Sequence, residues 1–183
     1  MAIVHRATLT PHKFDLITWW LPEQPWFENG GAIESVSAFR LDDPDGEVGI
    51  ETFIVRSGPR AFHVPVTYRN APLPGGTLVG ELEHSALGHR WVYDGPSDEV
   101  YVATTAQTIV TGGREVEMFR PDGTPVPRPD SAATVVGTGP PDAAVAGELV
   151  VARSLPGDAP AGAPTLVANW PGQDTPVALA WLV

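Results

Sequence analysis

The spacing of apolar residues changes period along the chain. Phe14, Leu16, Ile17, Trp20 and Leu21 recur at roughly helical intervals behind Thr10-Pro11, and Pro22 ends the run. Thr10 suits an N-cap and Pro11 a first helical position, so a helix is predicted there. From Ile33 the pattern alternates instead. Strands are predicted over 33–41, 48–56, 61–69, 78–84 and 90–93, separated by turn signals such as Asp43-Pro44-Asp45-Gly46 and Ser57-Gly58-Pro59-Arg60. Phe62, Val64, Val66 and Tyr68 fall on one face of their strand, and Glu51, Phe53 and Val55 oppose Ile50, Thr52 and Ile54. Ser97, followed by Asp98 and Glu99, reads as the N-cap of a second helix that runs to about Thr111 and stops at Gly112-Gly113. A strand from Arg114 to Phe119 follows.

At Pro121 the composition shifts. Residues 120–129 contain four prolines and read as a semi-rigid linker or a long hairpin. Beyond it, short apolar runs at 133–137, 148–155, 165–170 and 177–182 predict strands. The expected organisation is an α+β unit over 1–120, a proline-rich linker over 121–131 and a small all-β antiparallel segment over 132–183. The apolar strand 177–183 should be paired internally or in a homodimer, because an open apolar edge invites aggregation.

Composition narrows the functions. The 183 residues carry a net charge of −11, which disfavours nucleic acid and anionic membranes. There are no cysteines, so disulfides, thiol chemistry and thiolate metal sites are excluded. No apolar run reaches the ~18–20 residues that span a bilayer, and the first residues lack a signal-peptide apolar region. A soluble cytoplasmic protein is expected. Lys13 is the only lysine, so no mechanism that needs one elsewhere is open.

Four large rings crowd one corner: Trp19, Trp20, Trp26 and Phe27. So many rings need a sheet to pack on. The order of helix, Trp-Phe corner and hairpin array resembles the N-terminal cap domain of actinobacterial maltokinases, with their W-L-x-x-x-R-W-F-like corner. Pro25 stands where that family has a basic residue. Phe62-His63-Val64-Pro65-Val66-Thr67-Tyr68-Arg69 is similar to the family's Q-V-P-L-x-Y-R strand, and Trp91-Val92-Tyr93-Asp94-Gly95 to its V-Y-D-A-x-x-D segment. The resemblance covers residues 12 to about 119 and implies a curved antiparallel sheet with packing helices, compared to a cystatin-like fold. More faintly, Thr134-Val135-Val136-Gly137 with Leu149-Val150-Val151-Ala152-Arg153 resembles the opening strands of a kinase N-lobe. That resemblance places Arg153 where a phosphate-holding lysine would stand. Pro156 to Pro164 occupies the place of the helix that would bear the partner glutamate. No H-x-D-x-x-x-x-N loop or catalytic lobe follows, so the resemblance implies the non-catalytic front of a kinase.

Candidate chemistry is sparse. Glu81 and Glu83 share a strand face roughly 7 Å apart. With Asp94 and His84 nearby they suggest an acid–base pair, since glycosidase carboxylates sit about 5–9.5 Å apart. A solvated strand face is the plainer account. His63, His84 and His89 lack a defined tetrahedral set, so no metal is expected. Asp42 to Glu47 lacks the alternation of a calcium loop and reads as a hairpin turn. Gly137-Thr138-Gly139-Pro140-Pro141 follows a strand as a phosphate loop would, but its prolines remove amide donors. Trp26 and Trp91 could line a sugar platform or an interface between the two halves.

The expectation is a non-catalytic accessory or interaction protein. The resemblance ties it to trehalose and glycogen (α-glucan) metabolism, with a carbohydrate-metabolism enzyme or a small sugar as partner. The alternatives are a carbohydrate-binding module without catalysis and a small carbohydrate-active enzyme using Glu81 and Glu83. Candidate ligand- or partner-binding residues are Trp26, Glu81, Glu83, His84, Trp91 and Asp94. No catalytic residue or cofactor is expected.

Overall fold

A computed structural model describes residues 2–140 and 145–183 of the chain. In chain order the elements are β1 (Ala2–Ile3), β2 (Leu9–Thr10), α1 (Lys13–Trp20), β3 (Ile33–Leu41), β4 (Gly49–Ser57), β5 (Arg60–Arg69), β6 (Leu78–His84), β7 (Gly88–Asp94), α2 (Glu99–Val110), β8 (Met118–Phe119), β9 (Thr134–Gly137), β10 (Leu149–Val151), β11 (Ser154–Leu155), β12 (Thr165–Trp170) and β13 (Gln173–Leu182). The fold is α+β, with a curled antiparallel sheet, two short helices and a second antiparallel sheet.

The large sheet runs β2-β6-β7-β5-β4-β3. Strand β5 is the hinge of the arrangement. Residues Arg60–Tyr68 pair with β4, but only Val66–Arg69 pair with β7. The vacant edge at Ala61 and Phe62 is taken by β11, nearly a hundred residues later in the chain. Expected and observed strands agree closely from β3 to β7, because their two-residue alternation selects one buried face; β1 and β2 were not expected.

Each face of this sheet acquires its own cover. On one lie Phe53, Val55, Phe62, Val64, Val66, Leu82 and Val92, packed under Leu16, Ile17, Trp20 and Leu21 of the α1 region. Ile17 and Leu21 are almost fully buried, each contributing about 1.5–3 kcal/mol by transfer from water. On the other face Phe39, Leu41, Ile50 and Ile54 join Tyr101, Ile109 and Val110 of α2. The same cluster takes in Val135, Leu166, Ala168, Trp170, Leu179 and Leu182 from the second sheet. The apolar side chains of β9, β12 and β13 in this cluster therefore share one core with the first 120 residues. That second sheet runs β10-β13-β12-β9, so the strand 177–182 is paired on both sides within the chain. The proline-rich stretch folds back as a hairpin, with Val126 N donating to Met118 O at 2.8 Å.

Both helices start later than the sequence suggests, for one reason. Thr10 is committed to β2, opposite Glu83. The cap of α1 falls instead to His12, whose side chain accepts from Phe14 N at 3.3 Å while Asp15 accepts from His12 N at 3.2 Å. Likewise the Ser97 hydroxyl donates to Asp94 O at 2.7 Å and accepts from Thr77 N at 2.9 Å. Asp98 caps α2, accepting from Val100 N at 3.0 Å. In each case a distant partner removes the nearer cap candidate and a neighbouring acceptor replaces it. Two strand expectations are corrected. Residues 114–119 form only the short β8, paired in parallel with β1, and 148–155 split into β10 and β11 at Ala152-Arg153. Trp19, expected in the aromatic corner, points to solvent, while Trp20, Trp26 and Phe27 pack near Phe62.

Candidate functional site

The six candidate residues do not converge. They fall into three separate places, and the third, at His84, holds a charged cluster that the sequence analysis does not assemble.

Glu81, Glu83 and Trp91 lie on the exposed face of the β6–β7 hairpin. Glu83 faces His89 and Glu81 faces Trp91 across the ladder. His89 joins the two carboxylates, with Nδ1 2.6 Å from Glu83 Oε1 and Nε2 2.9 Å from Glu81 Oε2. Both ring nitrogens can donate only in the imidazolium. The Glu83 bond, then the Glu81 bond, raise the His89 pKa above its ordinary value. The Trp91 ring stands edge-on to His89 at 4.4 Å. A folded pKa above the unfolded one means that protonation favours the native hairpin. This contribution is complete below the unfolded value near 6.5 and disappears as pH rises through the folded value. An NMR titration of His89 should therefore give a midpoint above about 6.5, and Glu83→Gln should move it back down. A wild-type midpoint at or below the free-histidine value would contradict this geometry.

Trp26 and Asp94 meet at a different place, through Arg153. The Arg153 guanidinium lies 4.7 Å from the Trp26 ring centroid and forms an ion pair with Asp94. Side-chain exposure is 18% for Arg153 and 10% for Asp94, so the pair is largely desolvated. Burial raises the Asp94 carboxyl, against the pull of Arg153. Next to them His63 is fully buried, its Nδ1 3.1 Å from Ala152 O, and its backbone N donates to Arg153 O at 2.9 Å. Burial first, then the Arg153 charge, push the His63 pKa down to about 3, so the ring is neutral. Trp26 thus sits at the contact between the N-terminal sheet and the C-terminal segment.

The loop reading of residues 137–141 is answered over its described part. Gly137 N donates to Gly113 O, Thr138 N to Thr165 O and Gly139 N to Ile109 O, each at 2.9 Å. These amides are occupied by the protein itself. Pro141 lies outside the described residues. Asp43 is similarly committed, accepting from Asp45 N, Glu47 N and Val48 N at 2.9–3.1 Å as a turn aspartate does. Among the described residues no group of three or more His, Asp or Glu is placed to hold a metal.

His84 turns to the opposite face of the hairpin from Glu81 and Glu83. It lines a cavity of about 210 Å³ with Lys13, Arg40, Glu51, Tyr68 and Arg90. The chain near His5 forms one wall, and the His5 and His84 rings stand 6.1 Å apart. At the base is the buried Glu51 carboxylate. It pairs with Lys13, lies 3.3 Å from Arg40 Nη2 and accepts from Tyr68 Oη at 3.0 Å. Burial alone would raise its pKa, but Arg40 and Lys13 hold it below the ordinary carboxylate value. Sequence reasoning missed this cluster because its members come from α1, β3, β4, β5, β6 and β7. One signal was present: Glu51 occupies the face of β4 that it shares with Phe53 and Val55, and a buried carboxylate requires partners.

No helix among the described residues is long and apolar enough to cross a membrane. Comparison with curated proteins and with solved structures returned no match. Residues 20–98, from the end of α1 to the cap of α2, match the family model of the maltokinase N-terminal cap domain.

Proposed function

We propose that this chain is a non-catalytic accessory protein built on a maltokinase-type cap, acting by binding in α-glucan (trehalose and glycogen) metabolism. One observation carries the reading. Arg153, the residue at the position where a kinase would keep its phosphate-holding lysine, is directed inward and committed to Asp94 and Trp26. It is also the only cation in residues 132–183. Phosphoryl transfer depends on positioned positive charge around the transferred group, and here that charge holds two parts of the fold together. The occupied amides of Gly137, Thr138 and Gly139 support the same reading. The metabolic assignment rests on the cap match over residues 20–98.

The expected result with Mg-ATP and maltose or glucosamine is no phosphoryl transfer and no ATP-dependent rise in Tm. Steady turnover by the purified protein would refute the proposal. Affinity capture from a native cytosol should retrieve an α-glucan enzyme, and this tests the metabolic part separately.

A second reading, a carbohydrate-binding module, is favoured by the face that carries Trp91 beside Glu81 and Glu83. An aromatic edge flanked by hydrogen-bonding carboxylates suits a sugar. Titration of tryptophan fluorescence with maltose, trehalose and glycogen separates the two: a saturable change lost in Trp91→Ala favours the module, and no change with any sugar favours a protein partner.

A further inference from the structure

The cavity between α1, the β6–β7 hairpin and the chain near His5 has a charge balance opposite to that of the whole protein. The chain carries −11, yet three of its eleven basic residues, Lys13, Arg40 and Arg90, line this one space against a single carboxylate, Glu51. Glu51 is 8% exposed and already bonded to Lys13, Arg40 and Tyr68, at the base of the cluster. Two positive charges are left in excess. Arg90 has no carboxylate partner among the described residues; its Nη1 donates to His89 O at 2.7 Å. Next to it, His84 Nδ1 accepts from Ala86 N and Leu87 N at 3.2 and 3.1 Å, which leaves Nε2–H as its donor.

Physically this is an electropositive concavity, with Lys13, Arg40, Arg90 and His84 in its lining. Burial, and then the charges of His5 and Arg90, lower the His84 pKa. Such a field, bounded by low-dielectric walls, concentrates anions. Guanidinium groups match phosphate oxygens in geometry as well as charge, and an excess of two charges suits a dianion. The volume of about 210 Å³ is below that of most drug-sized ligand pockets and limits the occupant to about one sugar ring.

We infer that this cavity is a binding site for a phosphate group, either free or as the monoester of a molecule no larger than a single sugar ring. Lys13, Arg40 and Arg90 bind the phosphate, His84 donates a further hydrogen bond, and Glu51 fixes Lys13 and Arg40 in place.

The test uses the whole protein at low ionic strength, with inorganic phosphate, glucose 6-phosphate, glucose and potassium chloride at about 10 mM, followed by Tm and calorimetric titration. Phosphate and glucose 6-phosphate should raise Tm with saturation, while glucose and matched chloride should not. Arg90→Glu should weaken binding at least about tenfold without lowering the unliganded Tm, because Arg90 has no carboxylate to strand. Arg90→Lys should retain binding. If Arg90→Glu does not fold, Arg90→Gln replaces it, with the same loss expected. Tighter binding of glucose 6-phosphate than of phosphate identifies the monoester as the ligand; the reverse identifies the free anion. An equal response to glucose or chloride, undiminished binding by Arg90→Glu or Arg90→Gln, or no saturable binding of either phosphate would overturn the inference.

Discussion

Arg153→Met should lower the free energy of unfolding by about 3–5 kcal/mol, the cost of removing one member of a buried ion pair and leaving the other uncompensated. Asp94 would keep a largely buried carboxylate without its cation, and Trp26 would lose the guanidinium on its face. Urea denaturation is the measurement. The double variant Asp94→Asn/Arg153→Met should recover a large part of the loss, because neither residue is then left charged and alone. Arg153→Lys is the more pointed variant, since it installs the residue that a kinase would have. Lysine lacks the planar fork and stacks less well on an aromatic ring. The expected outcome is a smaller loss of stability, about 1–2 kcal/mol, and no gain of ATP binding. Stability unchanged in Arg153→Met would show that the contact is not a structural one.

Gly137→Ala should be the other costly single change. A Cβ there would lie 2.1 Å from Thr108 O and 2.7 Å from Ile109 O, both backbone atoms of α2. Backbone cannot yield as a flexible side chain does, so β9 and α2 must separate. The expected cost is about 2–4 kcal/mol, similar to overpacking in a tight core. For a domain of this size that is a fall in Tm of roughly 5–15 °C. Gly49→Ala is the control, because its Cβ would meet only Tyr68 side-chain atoms at ordinary contact distance, 3.4 Å. A Gly137→Ala protein as stable as Gly49→Ala would mean that α2 and the second sheet are not in close backbone contact.

The parts legible in the sequence were those whose information is local. Alternation along 33–69 revealed β3, β4 and β5 and assigned Phe62, Val64 and Val66 to one face, because a pleated strand sends alternate side chains to opposite sides. Helical spacing over 14–21 revealed α1. The chemistry was not local. Arg153 meets Asp94 across 59 positions, and nothing in the VVAR run indicates that its strand breaks there and turns the guanidinium inward. The Lys13, Arg40 and Glu51 cluster depends on how α1 crosses the sheet. Glu81 and Glu83 were correctly read as sharing a face, but His84, one residue on, belongs to the other side of the ladder. The spacing that paired the glutamates therefore separates the histidine from them.

The laying of β11 along the vacant half of β5 has a consequence for anyone dissecting the molecule. A fragment trimmed to the matched segment 20–98 would lose Leu16 and Ile17 from one side of the sheet. From the other it would lose α2 and the whole second sheet. It would also uncover the backbone donors and acceptors of Ala61 to His63 that residues 153–155 now satisfy. Such a fragment would present two bare oily surfaces and an open ladder, and would be expected to precipitate. A piece expected to stand alone is longer at both ends than the 20–98 span that matches the family model.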